Sequence, residues 1–167
     1  YGDWCVPPES PELIHSKDPA RNTDGTLIGT AYFQHLLRLM ARFARIAGHP
    51  EDAADYEALS ATMREAFHKK FFRPESGVYD NGTQTSSLLA LALGITPEAN
   101  RKTVFDSLVR KIETESKGHI GVGLVGAQWL MRTVSDFGRP DLAYTMATQK
   151  TYPGWGYMVE KGATTIW

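Results

Sequence analysis

The residue types best suited to chemistry gather at the two ends of the chain. Residues 151–167 run T-Y-P-G-W-G-Y-M-V-E-K-G-A-T-T-I-W, and residues 3 and 4 are Asp3 and Trp4. Flat aromatic faces such as Trp4, Trp155, Tyr157 and Trp167 stack on the C–H faces of a pyranose, while hydroxyls, a carboxylate and close backbone satisfy its hydroxyl groups. The alternative is structural: Tyr152, Trp155, Tyr157 and Trp167 pack a loop onto a core, Asp3 caps a turn and Trp4 packs beside it. Glu160, the only carboxylate of the final run, reads as a solvated loop charge rather than a catalytic acid.

A second polar group, N-G-T-Q-T, precedes an uncharged segment. Asn81 or Thr83 suits the N-cap of a helix, whose first amides need an acceptor. Gln84 then enters a helix whose other faces are apolar, so its amide needs either backbone or ligand partners. These two, Asn81 and Gln84, join Tyr157 as possible pocket residues.

Other chemistries find no support. His15, His35, His49, His68 and His119 show no paired ligand spacing on one helix, and Cys5 is the single cysteine, so neither a metal cluster nor an internal disulfide is expected. There is no G-x-S-x-G, P-loop or dinucleotide fingerprint, and no cofactor is expected. A net charge of −1 without long single-sign blocks gives no footprint for nucleic acid or an anionic membrane surface. No stretch approaches the ~18 apolar residues of a membrane span. The start, Y-G-D-W, lacks a leader pattern and a methionine, which suggests an excised piece of a longer chain.

Six helical segments must position these residues. Residues 1–23 read as a long ordered loop. From about Thr26 to Ala47 a broad apolar face runs through Phe33, Leu36, Leu37, Met40, Phe43 and Ile46. From about Pro50 to Phe72 an amphipathic outer helix is expected, with Tyr56, Leu59, Met63, Phe67 and Phe71 on one stripe. The stretch from Thr83 to Leu93 carries no charge, which predicts an inner helix buried on most sides. Residues Pro97–Lys117 return to the amphipathic form through Val104, Leu108 and Ile112. A mostly apolar segment from about Ile120 to Phe137 and a short one from Pro140 to Gln149 complete the set.

The connectors repeat. A-G-H-P-E-D, L-G-I-T-P-E and F-G-R-P-D each end a buried helix with glycine and begin an outer one with proline followed by acids. Gly48, Gly94 and Gly138 are 94−48 = 46 and 138−94 = 44 residues apart, so the unit is a helical hairpin of near-constant length. The expected fold class is all-α, three hairpins of an α/α toroid. Short turns then lie at one end, and residues 1–23, 73–83 and 151–167 lie at the other, with only the junction Lys117–Ile120 short. Loops gathered on one face of a rigid scaffold are where sites are commonly built.

The combination of G-D-W, Y-D-N-G-T-Q-T before an apolar helix, D-L-A-Y, and above all Y-P-G-W-G-Y-M-V-E-K-G-A-T-T-I-W resembles the catalytic domain of the bacterial α-L-rhamnosidases of glycoside hydrolase family 78. The resemblance covers nearly the whole chain. It implies half of an (α/α)6 barrel, the C-terminal half of the catalytic domain cut at both ends, and hydrolysis of terminal α-L-rhamnose with inversion. It implies that Asp3 and Trp4 belong to the rhamnose pocket and that Trp155 and the G-A-T-T-I-W segment, with Trp167, line its other side. The family's acid-rich G-W segment has no counterpart here, and its proposed base is a glutamate directly after the final tryptophan of G-A-T-T-x-W. Inversion needs both carboxyls about 6.5–9.5 Å apart, so this chain alone is expected to bind weakly and not to turn over. The competing expectations are another six-hairpin glycosidase and a non-catalytic α/α carbohydrate-binding or interaction module. The open edges of a half ring also predict self-association.

Overall fold

Three glycines set the architecture. Gly48, Gly94 and Gly138 adopt φ of 81°, 67° and 93°, the left-handed region that an L side chain enters only at a cost of about 1–2 kcal/mol. At each, two amides bond back into the last helical turn: Gly48 to Arg45 and His49 to Ala44, Gly94 to Leu91 and Ile95 to Ala90, Gly138 to Ser135 and Arg139 to Val134, all at 2.8–3.2 Å. The same glycine-dependent stop is thus used three times, and the chain reverses into an outer helix each time.

The structure, a computed structural model, describes residues 2–8, 13 and 18–165. After a short 3-10 turn at Pro19–Arg21, the helices are α1 Gly25–Ile46, α2 Pro50–Phe71, α3 Gln84–Ala92, α4 Glu98–Arg110, α5 Leu124–Asp136, α6 Pro140–Thr148 and α7 Trp155–Glu160. Asp24 caps α1 by accepting the Thr26 amide at 2.5 Å, and that bond holds its carboxyl below the ordinary aspartate range. Thr83 caps α3 by accepting the Ser86 amide at 3.3 Å. Pro50 and Pro140 stand in the first turns of α2 and α6.

Helices α1 and α2, α3 and α4, and α5 and α6 pair as hairpins, while α3 packs between α1 and α5. The inner row is therefore α1, α3, α5. Every residue of α3 from Gln84 to Leu91 is buried, as its lack of charge predicts. Outer helix α4 turns Val104, Phe105 and Leu108 inward, and Ile112 continues the stripe. Beyond α3, the indole N–H of Trp129 on α5 donates to the Tyr32 hydroxyl of α1 at 3.0 Å.

The structure corrects several expectations. On α1 the buried face is Leu27, Ala31, Gln34, Leu37, Ala41 and Ala44. Small residues let α2 approach closely, and Gln34 donates to Ser60 of α2 at 3.2 Å. Of the expected apolar stripe only Leu37 is buried; Phe33, Leu36, Met40, Phe43 and Ile46 are exposed. On α2, Phe67 and Phe71 are buried but Leu59 is exposed.

The loop after α2 holds a two-residue antiparallel pair, Phe72 opposite Tyr79 and Arg73 opposite Val78. Helix α4 passes into a wider π turn, Lys111–Glu115. Helix α5 begins only at Leu124, not near Ile120, so the α4–α5 connection is long. Its amides at Gly121 and Gly123 bond to side chains of other elements instead of building another helical turn. The final run, outside the six expected helical segments, contains α7.

Candidate functional site

The described parts of the long connections meet at the same end of the array, where residues 3–8 approach the α4–α5 connector and the loop after α6. Between them lies a cleft of about 790 Å³. Its floor is apolar, from Ile120, Val122, Leu130 and Met131, and its walls include Trp4, Tyr152, Pro153, Trp155 and Tyr157.

Asp3 organises one wall. Its carboxylate accepts the Thr85 hydroxyl at 2.5 Å, the Gly123 amide at 2.6 Å and the Val125 amide at 2.9 Å. The last two belong to the start of α5, whose unpaired amides and positive dipole end favour an anion. The residue after it is fastened as well, because the Trp4 carbonyl accepts the Leu124 amide at 2.7 Å. Glycine is required at 123, since a Cβ there would collide with the Trp4 carbonyl and the Asp3 carboxylate. Asp3 is buried, whereas the Trp4 side chain is 72% exposed. The pair thus divides its work between an anchored acid and a presented ring.

The opposite wall is the loop 149–154 with α7. The Tyr152 and Tyr157 rings meet edge-on at 5.7 Å, and the Lys161 ammonium lies 5.7 Å from the centre of the Tyr157 ring. Trp155, 37% exposed, lines the cleft. Gly156 lies so close to the end of α6 that a Cβ would meet the Thr148 and Gln149 carbonyls. Glu160 pairs with Lys150 at 2.8 Å, and this partner lowers its carboxyl below the ordinary glutamate range. It is not a lining residue of the cleft.

Of the sequence-derived site residues, Asp3, Trp4, Trp155 and Tyr157 converge on the cleft. Asn81 and Gln84 do not line it. Asn81 donates to the Asn22 carbonyl at 2.9 Å and faces a neighbouring polar hollow. Gln84 is buried and its amide bonds within the protein: it donates to Ser116 at 2.9 Å and to the His119 carbonyl at 3.4 Å, and accepts the Gly121 amide at 3.1 Å. Trp167 lies outside the described residues. Among the described residues no group of His, Cys, Asp and Glu is placed to hold a metal ion, and no helix is long and apolar enough to cross a membrane.

The sequence patterns did not mark Thr85, Gly123 or Met131, and named Tyr152 only as a packing aromatic. The recurring glycines of G-H-I-G-V-G are the signal that could have found Gly123, because glycine at 121 and 123 marks close approach of another chain segment, Gln84 at the first and Asp3 with Trp4 at the second.

Residues 1–167 match the model of the bacterial alpha-L-rhamnosidase 6 hairpin glycosidase domain. The chain is 37% identical over its whole length to an alpha-L-rhamnosidase of Formosa agariphila and to one of Streptomyces avermitilis, spanning 17% and 15% of those proteins. Among solved structures it superposes on the alpha-L-rhamnosidase of Dictyoglumus thermophilum with a TM-score of 0.88 at 32% identity, covering all of this chain and 18% of that one. On the Streptomyces avermitilis enzyme, solved in complex with L-rhamnose, the TM-score is 0.86 at 35% identity, covering all of this chain and 15% of that one. With its three hairpins, repeated glycine turns and full-length match, this chain belongs to the bacterial α-L-rhamnosidase six-hairpin glycosidase family.

Proposed function

We propose that the cleft binds the terminal α-L-rhamnose of a glycoside, as part of an inverting α-L-rhamnosidase. The supporting observation is the convergence of exposed Trp4, Tyr152 and Trp155 with half-buried Tyr157 on one cleft of a family scaffold. Aromatic rings at its rim offer stacking surfaces for the apolar faces of a deoxy sugar, whose methyl group suits the apolar floor. Trp4 and Trp155 are the principal stacking residues of this reading, and Trp167, outside the described residues, is assigned to the same pocket by the family resemblance alone. Asp3 accepts three protein hydrogen bonds and retains one acceptor position on Oδ1 for a sugar hydroxyl.

Inverting hydrolysis requires one carboxyl to protonate the leaving oxygen and a second to activate water, about 6.5–9.5 Å apart. Asp3 is the only carboxylate among the described residues that line the cleft. On this reading the chain by itself binds L-rhamnose weakly and releases no nitrophenol from an aryl α-L-rhamnoside. Titration with L-rhamnose, with D-glucose and D-glucuronate as comparison sugars, tests the first part. Equal affinity for all three, or loss-free binding in Trp4→Ala and Trp155→Ala, would overturn it. Turnover by the isolated chain at a rate comparable to an intact rhamnosidase would overturn the second.

The same reading extends to association. Phe33, Leu36, Met40, Phe43 and Ile46 form an exposed apolar strip along α1, and contiguous exposed apolar surface favours association. The isolated chain self-associates through it. Sedimentation at rising concentration detects this, and Leu36→Lys with Phe43→Lys restores a monomer; a monomeric wild-type chain at high concentration overturns it.

A further inference from the structure

The segment that carries Tyr152 and Trp155 has no regular structure between Thr148 and Trp155. It hangs from the α4–α5 connector at two points. Gln149 donates its side-chain amide to the Lys117 carbonyl at 3.3 Å, and the Thr151 hydroxyl lies 2.8 Å from Nε2 of His119. The other ring nitrogen of His119, Nδ1, lies 2.8 Å from the Ser116 carbonyl. A carbonyl can only accept, so Nδ1 carries the proton. In the neutral ring Nε2 is then an acceptor, and the Thr151 hydroxyl donates to it.

The connector is itself fixed from the core. Gln84, buried at the start of α3, bonds to the Ser116 hydroxyl, the His119 carbonyl and the Gly121 amide. A continuous path therefore runs from the most buried helix through Gln84, His119 and Thr151, and ends one residue before Tyr152 in the cleft wall.

The geometry points to His119 as a positioning residue for the sugar-stacking wall, fixing Tyr152 and Trp155 through Thr151. This rests on the rhamnose reading of the cleft. His119 does not line the cleft, and it acts by setting the place of the loop. Pre-setting a loop in its bound geometry raises affinity by removing the ordering cost of binding.

The decisive variant is Thr151→Val, which keeps the branched shape at an exposed position and removes only the hydroxyl. In the full chain it should weaken L-rhamnose binding about fivefold to tenfold, the worth of one hydrogen bond, and Thr151→Ser should return it to within twofold. His119→Ala should give a loss of similar size, and the double variant no more than the larger single loss, because both break one link. Amide exchange over residues 151–158 should accelerate about tenfold in Thr151→Val with α3 unchanged. Unchanged exchange in that loop, additive losses, or a Thr151→Ser variant as weak as Thr151→Val would each overturn the inference. If the loop loosens as expected but no variant, nor the parent chain, binds L-rhamnose, the positioning role stands and the rhamnose reading falls.

Discussion

Helices α1 and α3 hold the same place in their hairpins, yet α3 is covered on every side while α1 leaves Phe33, Leu36, Met40, Phe43 and Ile46 open to solvent. The difference is one of neighbours. Helix α3 lies between α1 and α5 and against α4, whereas α1 packs along its length on α2 alone and meets α3 and α5 over a short stretch. In a repeat array each unit buries its apolar face by stacking on the next, so a terminal unit shows what an internal one hides. The lesson is that an apolar stripe predicts a need for a partner and does not predict that the partner is present.

The largest test of that contrast is a pair of truncations. Leu88→Ala, at a fully buried position of α3, should lower unfolding free energy by about 2–5 kcal/mol, whereas Leu36→Ala, at a position 53% exposed, should change it by less than about 0.5 kcal/mol. Urea unfolding measures both. At a dilution that keeps the chain monomeric, a comparable loss at Leu36 would mean that the α1 face is covered within the chain itself and would break the comparison.

A second pair asks whether the turns share the inequality of the helices. Gly48 and Gly94 have the same left-handed backbone, one after the exposed α1 and one after the buried α3. Gly48→Ala and Gly94→Ala should each destabilise by about 1–2 kcal/mol, because the strain is local to the residue. A cost confined to Gly94 would show that burial, not φ, governs these turns.

The smallest effect comes from the joint between α2 and the β-pair. His68 Nδ1 lies 2.7 Å from the Tyr79 hydroxyl; burial pushes the His68 ring below its ordinary value and pushes the Tyr79 phenol up to about 12. For His68 the unfolded chain binds the proton more readily, so the contribution is present above about pH 6.5 and is lost as pH falls below it. For Tyr79 the unfolded phenol ionises first, so stability is lost as pH rises above about 10. Melting temperature should therefore be level between pH 7 and 9 and decline on both sides, and Tyr79→Phe should flatten the alkaline limb. An unaltered alkaline limb in that variant would place the titration elsewhere.

Much of the fold was legible because its signals are local. Glycine at 48, 94 and 138 fixes the backbone of three turns whatever surrounds them, and the absence of charge from Thr83 to Leu93 marks α3 as the innermost helix. Helix α1 departs from its apolar pattern for a physical reason: apart from Leu27 and Leu37 its buried side is Ala31, Gln34, Ala41 and Ala44, residues with little hydrophobic weight, and larger apolar residues face outward. The start of α5 was misplaced because the amides of Gly121 and Gly123 go to Gln84 and Asp3, distant partners that no local pattern reveals. The aromatics of the cleft were legible as residue types, Trp4, Trp155 and Tyr157 among them, and a capping Asp3 was one of two readings, but its partners were not. Its three hydrogen bonds reach Thr85, Gly123 and Val125, far away in sequence.

The sequence by itself determined the hairpin repeat, the helix caps and stops, and the aromatic character of the two chain ends, since these rest on backbone preference and side-chain type within a few residues. Tertiary structure alone decided which apolar face is buried, that Gln84 holds a connector instead of lining the cleft, and that Asp3 anchors the ring presented by Trp4. Those outcomes depend on hydrogen bonds and contacts between segments distant in sequence, and a buried polar group takes whichever partner the packed chain brings within reach.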